Sequence, residues 1–199
     1  KKITGKTPVT LDTNTVGSSV AQNTIRNSVI AVFISSLFVM LYIIYAFRNI
    51  DQAYLYAIAA IITLIHDVFV VMGLFIILSL FLGSTVNSIF IVGILTVIGY
   101  SVNDTIVIFD RLRENITLNK SMEYLSVVNK SVMESVTRSL GTSITTSMVI
   151  LAMLLFGGQS LRDFLIVLLL GVVIGTYSSI FVASNIMLVW RYGLRKKSN

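Results

Sequence analysis

The sequence predicts an all-α membrane protein, a bundle of five transmembrane helices, and three observations carry that prediction. Hydrophobic residues make up 55% of the chain and charged residues 12%, against about a quarter charged in an average soluble domain. Five stretches reach or approach the roughly 20 apolar residues that a helix needs to cross a hydrocarbon core about 30 Å thick. The Lys and Arg residues lie between these stretches and not inside them.

In chain order the stretches are 28–47, 53–82, 86–109, 139–156 and 164–190. The second has 30 residues, about 45 Å of helix at 1.5 Å per residue, so it tilts in the bilayer or protrudes from it. Only His66, Asp67 and Asp104 place an imidazole or a carboxylate inside a stretch. Segments 1–27, 110–138 and 191–199 are read as an extracytoplasmic stub of a truncated domain, a cytoplasmic loop and a basic cytoplasmic tail. Orientation follows from the excess of Lys and Arg in cytoplasmic loops. Arg48, Arg111, Arg113, Lys120, Lys130, Arg138, Arg191, Arg195, Lys196 and Lys197 fall on one side, and Lys1, Lys2, Lys6, Arg26 and Arg162 on the other. That distribution puts the C-terminus in the cytoplasm. In the loop, Met122, Leu125, Val128, Val132 and Val136 recur at helical spacing, which predicts an amphipathic segment lying along the membrane surface. A chain that opens at Lys1 with no initiator Met and no leader reads as a fragment cut from something longer.

Composition also narrows chemistry. With no Cys and one His, a disulfide framework and a thiolate or multi-His zinc site are ruled out. The formal charge of +6 is spread between apolar runs and forms no basic stripe, so nucleic acid is not an expected partner. No Ser/His dyad, paired aspartates within the spans or metal motif suggests an enzyme, and no cofactor is expected beyond protons as the coupling ion.

An ionisable side chain inside a membrane helix costs roughly 2.5–3.5 kcal/mol on insertion scales, so each is a functional candidate. Asp104 is the foremost. Thr96, Tyr100, Asn103, Asp104 and Val107 share one helix face, a polar stripe that belongs inside a bundle. Asp104 lies about 9 Å, six residues, from the end of its run, where desolvation disfavours the charged form and suits it to taking up and releasing protons. A helix-to-helix hydrogen bond that never titrates is the structural alternative. Arg138 shares a face with Thr142, Thr145 and Thr146, a second polar stripe able to meet the first. There a permanently charged guanidinium would hold Asp104 ionised until a movement separates them; as a plain anchor it would reach to headgroups instead. His66 and Asp67 are secondary candidates: adjacent residues point about 100° apart, so one of them is expected to meet a polar stripe on another helix and fix packing. Gly171 and Gly175 form a GxxxG step continued by Ser178, Ser179 and Ala183. They are read with Gly93 and Gly99 as packing positions.

The blocks "HDVFVVMGLF" at 66–75, "TVIGYSVNDTIVIFDRLREN" at 96–115, "LLFGGQSLRDF" at 154–164 and "GTYSSIFVAS" at 175–184 resemble the SecF family of protein-export subunits, in order and spacing from Val16 to Trp190. That resemblance implies the last five helices of a six-helix half of the resistance-nodulation-division type, either a separate SecF or the SecF half of a fused SecDF. It implies a multi-pass protein of the bacterial cytoplasmic membrane, working with SecD, the Sec translocon channel and preproteins. The implied activity draws preproteins outward on the proton motive force, with Asp104 and Arg138 at the positions assigned to proton conduction. Two departures stand out: "VGSS" at 16–19 lacks a Pro common in the family, and Asn185 stands where a Pro often occurs. A proton-coupled exporter of small molecules or lipids and a purely structural scaffold are the competing readings. One charge moved through 100 mV yields about 2.3 kcal/mol, whereas shifting a two-state element from 1:99 to 99:1 needs about 5.5 kcal/mol, so more than one proton, or additional driving force, is expected per cycle.

Overall fold

The computed structural model describes residues 18–48, 52–83, 86 and 88–197, and every regular element in them is helical. The order is α1 (Ser18–Ala46), α2 (Ala53–Leu82), α3 (Ser88–Leu118), α4 (Tyr124–Phe156), a 3-10 turn (Gln159–Leu161), α5 (Arg162–Ser178), a π-helical turn (Ser179–Ala183) and α6 (Ser184–Lys197). The last three form one continuous rod. Five spans are long and apolar enough to cross a membrane, with α5 and α6 counted in a single span. The expected stub falls outside the described residues as far as Gly17; from Ser18 onward the chain is already in α1, ten residues ahead of the apolar run. The tail expected over 191–199 continues α6 as far as Lys197.

The helices run alternately up and down, so the end of α1, the start of α2, the turn 118–124 and the C-terminal end of α6 gather at one end of the bundle. The end of α2, the start of α3 and residues 156–162 gather at the other. Among the described residues Arg48, Arg111, Arg113, Lys120 and Arg191 lie toward the first end, and Arg26 and Arg162 toward the second. The 110–138 segment is not a surface loop. α3 continues to Leu118 and α4 starts at Tyr124, which leaves a five-residue turn, 119–123, at the tip of a helical hairpin. No Pro or Gly interrupts the sequence between Tyr124 and Leu140, so the helical repeat of Val128, Val132 and Val136 carries straight on into the apolar run. Val127 and Val128 are buried, with Val132 and Val136 packed against the same cluster, while Met122 and Leu125 are exposed. Arg111 clamps the hairpin, its Nε 2.7 Å from Glu134 and its guanidinium 2.5 Å from Glu114. Asn115 donates to Glu134 at 2.8 Å and to Ser131 at 3.1 Å.

α2 stops at Gly83, whose φ of +66° lets its N–H close on Ser79 O at 2.9 Å, a left-handed cap that costs a glycine little. At the hairpin end Phe47 stacks on Tyr56 at 5.0 Å, and Phe109 meets Tyr56 edge-on at 5.5 Å. Toward the other end Phe75 and Phe90 lie 4.6 Å apart. Between these apolar layers lies a polar one.

α3 is the central helix, packed on α1, α2, α4 and α5, and its tightest partner is α5. Lipid tails are as apolar as Leu, so helix association in a membrane relies on close packing and interhelical hydrogen bonds more than on the hydrophobic effect. A Cβ at Gly171 would overlap the Val97 side chain, one at Gly175 would lie 3.1 Å from Ser101 Cα, and one at Gly93 would lie 3.0 Å from Val167 Cγ1. These three glycines set the α3–α5 distance. Gly99 has open space around it and is exposed, so it takes no part in that contact. Gly171→Ala is expected to lower stability by about 1–3 kcal/mol through overpacking, and Val97→Ala in the same chain to recover part of the loss. Gly99→Ala should leave it nearly unchanged. Thermal unfolding of the purified full-length protein in detergent reads all three.

Candidate functional site

The polar layer is assembled by α2, α3, α4 and α5 around two carboxylates. Asp104 is 2% exposed. Thr176 of α5 donates to its Oδ2 at 3.0 Å and Ser143 of α4 at 3.5 Å. Ser143 and Thr176 also lie within bonding distance of each other, where one donates in place of its bond to Asp104, and the Tyr100 hydroxyl lies 3.4 Å from Ser143 Oγ. Asp67, on α2, is 0% exposed. Its Oδ2 accepts from Ser178 of α5 at 2.6 Å and from Ser101 of α3 in a short bond, and its Oδ1 lies 2.9 Å from His66 Nδ1. Between the two, Thr105 and Ser179 share a hydrogen bond of 2.9 Å. Both carboxylates lie deep: fourteen residues separate Asp104 from the end of α3 and Asp67 from the start of α2, about 21 Å of helix.

The expected meeting of two polar stripes does not occur as read. Arg138, Thr142 and Thr145 are exposed, the two threonines bond carbonyls of their own helix, and the partners of Asp104 are hydroxyls, not the Arg138 guanidinium. The face of α4 that turns inward carries Ser131, Ser135, Ser139 and Ser143 at four-residue spacing; Arg138, one residue before Ser139, points about 100° away from it. On α3 the boundary shifts in the same way. Thr96 and Asn103 are exposed and Tyr100 is half-buried, while Ser101 and Thr105 join Asp104 inside. His66 and Asp67 do bond each other, and Asp67 meets polar side chains on neighbouring helices, Ser101 and Ser178.

The side chains missed by the sequence reading are all hydroxyls, Ser101, Thr105, Ser143 and Thr176, while Ser178 and Ser179, expected only as packing positions, prove to be hydrogen-bonding partners as well. Their signal was present as the serine ladder of α4 and as the Thr176, Ser178 and Ser179 that follow Gly175. A small polar residue in an apolar run reads equally well as a packing position, and only its neighbours show which it is. Among the described residues no group of three or more His, Cys, Asp or Glu side chains is placed to hold a metal ion.

A carboxylate enclosed by hydroxyls has donors enough to remain in the bundle in either protonation state, because a hydroxyl rotates to donate or accept. No Lys or Arg bonds either Asp67 or Asp104 among the described residues, so charge on Asp104 is offset by dipoles, charge on Asp67 by dipoles and the His66 imidazole, and a proton is the simplest way to neutralise either.

The family model for "Protein export membrane protein SecD/SecF, C-terminal" matches residues 1–193. The chain belongs to that family. A SecF protein translocase subunit of Thermobaculum terrenum is 42% identical over 175 residues, 88% of this chain and 55% of that relative. A SecDF protein translocase subunit of Thermus thermophilus is 36% identical over 181 residues, 91% of this chain and 23% of the relative. The crystal structure of SecDF from Thermus thermophilus, described as a translocon-associated membrane protein, superposes with a TM-score of 0.77 at 36% identity, over 89% of this chain and 23% of that one. The chain thus spans little more than half of its SecF relatives, and it corresponds to SecF or to the SecF part of a SecDF. Its five spans make it a multi-pass membrane protein.

Thr176→Val, which removes a donor to Asp104 while keeping the side-chain shape, is expected to cost about 1–3 kcal/mol while Asp104 is charged, and much less once Asp104→Asn is introduced beside it. Arg138→Gln is expected to leave stability near that of the unaltered protein. Unfolding of the full-length protein in detergent, as single and double variants, measures each effect.

Proposed function

We propose that this chain is the membrane part of an accessory subunit of the Sec translocase, which uses the proton motive force to assist preprotein export. The single observation that supports coupling to protons is Asp104. It is a carboxylate 2% exposed at mid-bundle, held by hydroxyls of α4 and α5 and by no cation among the described residues. In this reading a proton reaching Asp104 removes its charge, weakens the charge-assisted bonds to Ser143 and Thr176 by roughly half, and lets α4 and α5 shift against α3. Family membership supports the setting, since the relatives bear the names of SecF and SecDF translocase subunits.

The partners in this reading are SecD, the Sec channel and the emerging preprotein, with the hairpin end of the bundle in the cytoplasm of a bacterial inner membrane. Ten of the chain's 15 Lys and Arg residues favour that orientation. The protein acts without chemical catalysis and without a cofactor; protons are its coupling ion. Arg138, exposed on α4 five residues before Ser143, takes part in this scheme from outside the carboxylate's own shell, as an anchor or as a charge that a moving helix brings nearer. An exporter of small molecules draws no support from relatives named as translocase subunits.

Full-length Asp104→Asn, compared with the unaltered protein for preprotein export driven by an imposed proton gradient, tests the proposal. Loss of the gradient-dependent component, with normal expression and normal SecD binding, is the expected outcome. Export unchanged from the unaltered protein would overturn the assignment of proton coupling to Asp104.

A further inference from the structure

His66 and Asp67 are the second set of titratable side chains inside the bundle, and the scheme above leaves them without work. Their geometry differs from that of Asp104 in one respect. Asp67 is wholly enclosed, whereas the bonded imidazole is 39% exposed at the bundle surface. The ring therefore links a sealed carboxylate to the outside. A half-exposed imidazole this deep in a membrane faces a water-filled cleft or another protein in preference to lipid, as ionisable side chains at this depth generally do.

Among the described residues, the groups around the pair leave Asp67 no other counter-charge. α3 presents Ser101 and, one turn on, Asp104; α5 presents Ser178. On α1, Arg26, Tyr42 and Tyr45 are exposed, and on α6 Arg191 lies over the Tyr124 ring at 4.7 Å. On α2 itself, Tyr54 is exposed and Tyr56 is buried at the hairpin end among Phe47 and Phe109.

We infer that Asp67 is a second proton-binding site, loaded through His66, and that its charge state sets how firmly α2 holds Ser178 at the start of the π-helical turn. The relay needs no large movement. The imidazole carries its proton on Nδ1 and donates to Oδ1 of the ionised Asp67. A proton arriving from outside forms a bond at Nε2, the Nδ1–H bond breaks, and that proton bonds to Oδ1. A neutral imidazole protonated on Nε2 and a neutral acid remain, so the pair has taken up one proton and lost its negative charge. Asp67 then donates back to Nδ1, while Oδ2 still accepts from Ser101 and Ser178 in weaker bonds, since a charged acceptor makes a bond roughly twice as strong as a neutral one.

The π-helical turn supplies an independent observation. It begins at Ser179, immediately after Ser178, and such turns inside α-helices are frequently found at functional sites. Two side chains satisfy carbonyls of the turn, Ser184 bonding Ile180 O and Asn185 bonding Phe181 O at 2.6 Å. The rod thus carries a local change of register directly below the residue that Asp67 grips. Loosening that grip would act where the rod is already irregular. The role of this site in export rests on the proton-coupled reading above; its existence does not.

The test uses the full-length protein assembled with its SecD partner in liposomes, and reads carboxylic-acid stretching bands in infrared difference spectra after a pH step. Acidification should produce one band that Asp104→Asn abolishes and a second that Asp67→Asn abolishes. His66→Gln, which keeps a polar partner beside Asp67 but cannot pass a proton from one ring nitrogen to the other, should retain the second band and slow its appearance at least tenfold. Spectra of Asp67→Asn superimposable on those of the unaltered protein would overturn the site. Should Asp67→Asn fail to assemble, unchanged band kinetics in His66→Gln would overturn the relay. An Asp67 band present alongside export indifferent to Asp104→Asn would leave the site standing and remove only its place in the export scheme.

Discussion

The close approach of α3 to α5 is the constraint on which the rest of the structure depends. Gly93, Gly171 and Gly175 bring the two backbones together where any Cβ would meet Val167, Val97 or Ser101. At that separation short side chains are long enough to reach across, so Thr105 bonds Ser179, and Thr176 reaches Asp104. A larger residue at any of these glycines would push the rod outward and leave the hydroxyls without partners. In a membrane that loss is not made good by water, which is why the packing positions and the polar layer form one unit.

The polar layer gives each carboxylate a different environment. Asp104 sits between α4 and α5 and is held by hydroxyls alone, while Asp67 ties α2 to both α3 and α5 and has an imidazole as its neighbour. One charge crossing 100 mV supplies about 2.3 kcal/mol, less than half of the roughly 5.5 kcal/mol that a decisive two-state shift requires. Two proton sites gripping the same rod, at Thr176 and at Ser178, would bring the available energy close to that requirement. They would also apply it at neighbouring points of α5, immediately before the π-helical turn.

The hairpin formed by the ends of α3 and α4 extends the same two helices that carry Asp104 and Ser143. Arg111, Glu114, Glu134 and Asn115 bind its two arms together near the tip, and Arg113 reaches Ala46 O at 3.2 Å beside the Phe47 ring. A shift of α4 against α3 at mid-bundle therefore cannot be absorbed by a slack loop. Such a shift would reach the hairpin end as movement of a helical pair.

The spans were legible in the sequence because the bilayer imposes a length and a composition that local residues must satisfy whatever their neighbours do. The GxxxG step and the inward position of Asp104 were legible for the same reason, since a glycine pair and a lone carboxylate are conspicuous in an apolar run. Helix ends outside the hydrocarbon were less so: α1 begins ten residues before its apolar stretch, and the hairpin arms are polar helices that hydropathy cannot tell from a loop. What only the tertiary structure decided is which side chains meet. Arg138 and Ser139 are neighbours in sequence with equal claims to face Asp104, and the rotation of α4 turned the serine ladder inward and the arginine out. The partners of Asp67 stand 34 and 111 residues away along the chain. No local pattern encodes pairings at that range, because they are set by the way separate helices dock, and docking here is governed by three glycines.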